Sequence, residues 1–267
     1  MEHTDRLIEE QYMTTDTPPP DWTWGQPAAE ALAWLVESGV TGAPETDVMP
    51  PGCADSTWVL HHQYLLPAEQ DLETSAVRQG LGFLPTPPPP WARVRWQQVA
   101  EATGQVMGGG SYQVRAVPPC YRWGGYLHSD VTGGALREDP AHEWAASEGS
   151  PSQEELEQLI PVLDRHTSST QAIGVLSEFD FQWRDLRSVE RSPAFTFTLA
   201  RLVEDLLAIS SRDRTTMAPH WWWPQDRAWL VWTDWDLSGT KVYGSAALIE
   251  ELREHSVLET IDWHPGP

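Results

Sequence analysis

Asp234-Trp235-Asp236 closes an apolar run that begins at Ala228, and in an extended chain two carboxylates at that spacing lie on one side. Such a pair suits a hard divalent cation, which takes oxygen ligands, and Asp226 upstream offers a third carboxylate. The same segment opens on Trp221-Trp222-Trp223-Pro224, carries Arg227, and holds six of the sixteen tryptophans between Trp221 and Trp235. Indole faces stack on rings and cations or fill a core. Trp221, Trp222, Trp223, Arg227 and Trp235 are therefore the candidate binding residues, and Asp226, Asp234 and Asp236 the candidate metal ligands. A divalent cation is expected only if those carboxylates do hydrolase or transferase chemistry; otherwise no cofactor is expected.

The rest of the chain offers weaker chemistry. Haloacid-dehalogenase-type phosphatases use Asp-x-Asp-x-Thr, but Ser238 stands where that Thr belongs. Many glycosyltransferases carry an Asp-x-Asp, but no nucleotide-binding half precedes this one. Asp at a strand end equally suits a turn. Gly104 to Ser111 approaches a phosphate-binding loop, yet Gly110 replaces the lysine that would reach the phosphates. His61-His62 falls in a strand-like stretch, where neighbouring rings point to opposite faces and cannot jointly hold one metal; packed or edge histidines are the plainer expectation. His166 sits at a helix end, where an imidazolium complements the dipole. No nucleophile elbow or His-Glu-x-x-His pair occurs.

The elements that must position these residues follow from periodicity. Residues 1–25 read as a flexible arm and 26–267 as one α+β domain, with a candidate sub-boundary in the long loop 118–150. Helices are expected over 27–39, 91–104, 153–166, 199–210 and 246–255. Ser152 and Ser245 cap the third and fifth, and Glu155 completes Ser-x-x-Glu in the third. Strands are expected over 57–65, 112–117, 172–179, 195–198, 228–233, 240–243 and 258–263. The ending is β-β-α-β, which points to a mixed, largely antiparallel sheet with helices packed on it.

Composition limits the function classes. Asp and Glu total 39 against 17 Lys and Arg, a formal net charge of −22. Clustered cations drive binding to phosphate backbones, so nucleic acid is not an expected partner. No apolar run reaches the length of a membrane span, and the acidic N-terminus is no secretory signal, so the expected location is cytoplasmic. Cys53 and Cys120 are too few for a disulfide framework. Lys241 is the only lysine and Asn is absent, which fits a GC-rich genome.

Trp222-Trp223-Pro224-x-Asp226-Arg227-Ala228-Trp229, Thr233-Asp234-Trp235-Asp236-Leu237 and Gly239-Thr240-x-Val242-x-Gly244-Ser245 together resemble an uncharacterised actinobacterial group of Trp-rich proteins. Val94-Arg95-Trp96-x-x-Val99-Ala100 and Leu163-x-x-His166-Thr167 are similar to the same group. The resemblance spans roughly 56–263, most firmly 221–252, and implies no catalytic residues. Charge, indole content and the lack of a complete catalytic motif point to a non-enzymatic binding module. Its acidic, Trp-rich surface would meet a basic protein partner, an immunity or antitoxin-like role being one case. The alternative is the metal-dependent hydrolase or transferase built on Asp226, Asp234 and Asp236.

Overall fold

The computed structural model describes residues 23–24, 48–67, 92–98, 142–146, 151–168, 173–176, 194–197, 221–233 and 239–262. Eleven strands form two sheets among these residues. They are β1 (Thr23–Trp24), β2 (Asp55–Leu60), β3 (Gln63–Pro67), β4 (Ala92–Val94), β5 (His142–Ala146), β6 (Ile173–Leu176), β7 (Ala194–Phe197), β8 (Trp221–Pro224), β9 (Leu230–Trp232), β10 (Gly239–Gly244) and β11 (Glu259–Ile261). Two helices are described, α1 (Gln153–Arg165) and α2 (Ala246–Arg253).

The large sheet runs β1-β7-β6-β8-β9-β10-β2-β11 and the small one β4-β3-β5. Every described pairing is antiparallel. The chain therefore has the expected α+β class, and β9-β10-α2-β11 is the expected β-β-α-β ending, with β11 closing on β2.

Alternation along the strands divides the large sheet into two faces. Val59, Trp222, Val231 and Val242 share one face, and α1 and α2 pack on it through Leu156, Leu159, Leu163, Leu248, Ile249 and Leu252. The helix positions recur at three- and four-residue spacing, which builds one apolar stripe per helix. Ser152 and Ser245 cap the two helices, accepting from the amides of Glu155 and Leu248. At Ser152 the capping box is complete, because the Glu155 carboxylate also accepts from the Ser152 amide. Ahead of β2, Pro50-Pro51-Gly52-Cys53 makes a tight turn in which Gly52 has φ 92° and the Cys53 amide bonds Pro50 O at 3.0 Å. That φ is the reason a glycine stands there.

Five expectations change. The single strand over 57–65 is two strands in different sheets, with His61-His62 as the corner between them. Residues 92–94 are strand rather than helix, because pairing with Gln63, Tyr64 and Leu65 outweighs the local helical period; helical geometry starts only at Trp96. Trp221–Pro224, a cluster without an assigned element, is a central strand. His142–Ala146, inside the expected long loop, pairs with all of β3. Thr23–Trp24, the end of the expected arm, pairs with Phe195 and Thr196. The helices expected over 27–39 and 199–210 and the strand over 112–117 lie outside the described residues.

Candidate functional site

The tryptophan run is interior. Trp221, Trp222 and Trp223 are 3%, 1% and 2% exposed. Of the two readings of the indole cluster, core and solvent-facing platform, the burial of these three side chains fits the core. Trp222 points to the helices and meets Trp229 edge-on, with ring centroids 5.8 Å apart. The Trp229 indole donates to Thr167 Oγ1 at 2.8 Å, pinning the end of α1 to the β8–β9 connection.

On the opposite face, register places Trp58, Lys241, Trp232 and Trp221 in one row across four strands. The Trp58 and Trp232 rings come within 5.7 Å of each other although β10 runs between their strands. They close over the stem of Lys241, whose ammonium lies 5.1 Å from the Trp58 ring centre and 5.5 Å from that of Tyr243. Ring quadrupoles attract the cation there, and Lys241 is 2% exposed. An amine-reactive ester should therefore leave Lys241 unmodified in the folded protein and label it only under denaturing conditions, read by peptide mass spectrometry. Rapid labelling of the folded protein would put this amine at the surface.

Asp226 and Arg227 form the β8–β9 turn. Asp226 Oδ1 accepts from the Ala228 amide at 3.1 Å, an Asx turn, and Oδ2 accepts from the Ser168 amide at 2.7 Å and from its hydroxyl. Both oxygens are thus engaged in holding the turn to the end of α1. Arg227 is exposed, with φ 58°. Asp234, Trp235 and Asp236 lie outside the described residues. Among the described residues no group of three or more His, Cys, Asp or Glu side chains is placed to hold a metal ion.

Two buried polar clusters gather at the His61-His62 corner instead. His61 Nε2 lies 2.7 Å from Thr240 Oγ1, which lies 2.6 Å from Thr233 Oγ1, so a chain of hydrogen bonds joins the ends of β2, β10 and β9. His61 O accepts from the Trp96 indole at 2.7 Å. His62 turns the other way, its Nδ1 3.2 Å from Ser152 Oγ and 4.0 Å from Glu155 Oε2. Burial, with Arg93 and His61 nearby, lowers the His62 pKa to about 3, so its ring is neutral. Burial pushes Glu155 up to about 7, although Ser152, the His62 backbone and Arg93 oppose the shift. Arg93 bonds Glu154 Oε1 and Val257 O, both at 3.0 Å, tying β4 to α1 and to the approach to β11. The Ser152–Glu155 spacing was a readable cap; that the box is buried against His62 and Arg93 is a product of the sheet corner.

The exposed side of the helix layer is acidic. Glu157 and Asp164 on α1 and Glu250 and Glu254 on and beside α2 face solvent. Arg165 is committed to Glu251, which also takes His166 Nε2 at 2.8 Å. Those bonds hold the Glu251 carboxyl below its usual range. Arg253 is clamped by Asp55 at 2.8 Å and Asp262 at 3.0 Å, linking α2 to β2 and the chain beyond β11.

No family model, curated protein or solved structure matches the chain. No described helix is long and apolar enough to cross a membrane.

Proposed function

We propose that the chain is a binding module whose acidic helical face docks a basic protein. The observation that carries this reading is the outer side of α1 and α2: Glu157, Asp164, Glu250 and Glu254 are exposed, while both helix arginines, Arg165 and Arg253, are already paired within the layer. Exposed carboxylates on capped helices, with Glu250 partly offset by Arg253 at 3.5 Å, give a negative field, which attracts a cationic surface and speeds encounter. The net charge of −22 extends that field over the chain. A basic toxin inhibited by an acidic partner is one member of this class. The affinity is assigned to the helix layer rather than to the tryptophans of β8, which are interior.

Affinity capture from a lysate of the native cell tests this reading. The wild-type chain is compared at low salt with a variant carrying Glu157→Gln, Asp164→Asn, Glu250→Gln and Glu254→Gln. A basic protein retained by the wild type and lost with the variant is the expected result. Equal retention by both, or no basic protein retained, removes the proposal.

A further inference from the structure

At the N-terminus of α1 a carboxyl group is buried where three elements meet. Glu155 is 1% exposed. Its Oε2 accepts from the Ser152 amide at 2.7 Å, while Oε1 has no hydrogen-bond partner among the described residues. Among the described residues the titratable groups around it come from three elements. His62 faces it from the β2–β3 corner with His61 behind, Arg93 from β4, and Glu154 from its own helix. Arg93 is the nearby cation, and it is bound to Glu154. His62 is neutral and its Nδ1 lies 3.2 Å from the Ser152 hydroxyl, which accepts from the Glu155 amide. As a carboxylate Glu155 is an anion out of water whose Oε1 meets no donor among the described residues, a cost that protonation lowers by removing the charge.

We propose that the Glu155 carboxyl is a proton-operated latch on α1: neutral, it docks the first turn against the sheet corner, and ionised, it lets that turn open. The latch goes beyond the binding reading and stands whether or not the acidic face has a partner, although it acts on the helix that carries Glu157 and Asp164.

The sign follows from linkage. The folded-state pKa of Glu155, about 7, exceeds its ordinary value of 4.5. Its stabilising contribution is therefore complete below about pH 4.5 and is lost as pH rises through about 7. His62 works in the opposite sense. Its pKa of about 3 is below its ordinary value of 6.5, so its contribution is complete above 6.5 and is lost as pH falls toward 3. Between roughly pH 4.5 and 6.5 the two slopes oppose each other, so the Glu155 component is isolated by comparing the wild type with Glu155→Gln, in which His62 is unchanged.

Amide hydrogen exchange, corrected for intrinsic rates, reads the latch at Leu156 and Glu157 in α1 and at Leu252 and Arg253 in α2. The ratio of opening constants, wild type over Glu155→Gln, should rise about tenfold from pH 6 to pH 8 in α1 and stay constant in α2. A ratio that does not change in α1, or that rises equally in α2, overturns the proposal. If Glu155→Gln does not fold, a carboxyl ¹³C titration of the wild type decides: a Glu155 midpoint near about 7 upholds the latch, and one near the ordinary value of about 4.3 overturns it.

Discussion

Replacing Trp222 by alanine should cost about 3–5 kcal/mol of folding stability, the range for emptying a large aromatic site in a packed core. Trp222 is 1% exposed and belongs to the single cluster that joins the sheet to both helices. Its strand neighbour Val231 is fixed by register, so it cannot close the cavity by sliding. The edge-on contact with Trp229 is lost with it, and a double-mutant cycle on that pair should return a coupling of about 0.5–1.5 kcal/mol. Urea unfolding provides the measurement: the midpoint should fall while the slope is nearly unchanged. A loss below about 1 kcal/mol would mean that the ring is not part of the packed core.

Gly244→Ala should cost about 1–3 kcal/mol, the range for overpacking, although the change adds a single methyl group. Gly244 ends β10 where Ser245 begins to cap α2. A Cβ there would sit 2.5 Å from Leu248 Cδ2 and 3.6 Å from Ala228 O. Leu248 is fully buried, so its methyl has no free space to retreat into. Removing the δ carbon should relieve the clash: Gly244→Ala should cost less in a Leu248→Val background, measured by the same urea unfolding. At Gly52, by contrast, nothing lies within 4 Å of an added Cβ, and the cost of a side chain comes from φ 92° alone. Equal effects of Gly244→Ala in both backgrounds would place the strain elsewhere.

What was readable in the sequence was local. Ser152-x-x-Glu155 and Ser245 marked both described helix starts, because a cap is decided within four residues. The strands near 173–176, 230–232 and 239–244 were legible from β-branched and aromatic runs, and the β-β-α-β order followed. What stayed hidden depends on partners distant in sequence. His61-His62 looks like strand interior, and only the assignment of β2 and β3 to different sheets makes it a corner. Ala92–Val94 looks helical until Gln63 to Leu65 pair with it. The Trp221–Pro224 run read as either core or ligand platform, because indole chemistry is the same in both places; its burial in the sheet fits the core. Asp226, one of three candidate ligands, holds a turn with its carboxylate, as Asp often does. Glu155 was legible as a capping residue but not as a buried acid, because its burial is supplied by His62 and Arg93.

The most direct test of the binding reading is the salt dependence of the association rate between the chain and the basic protein it retains. For the wild type the rate constant should fall by about tenfold or more between low and physiological ionic strength. For the variant neutralised at Glu157, Asp164, Glu250 and Glu254 it should be slower at low salt and much less sensitive. Identical rate constants and identical salt dependence for the two proteins would contradict an interface at the acidic helical face.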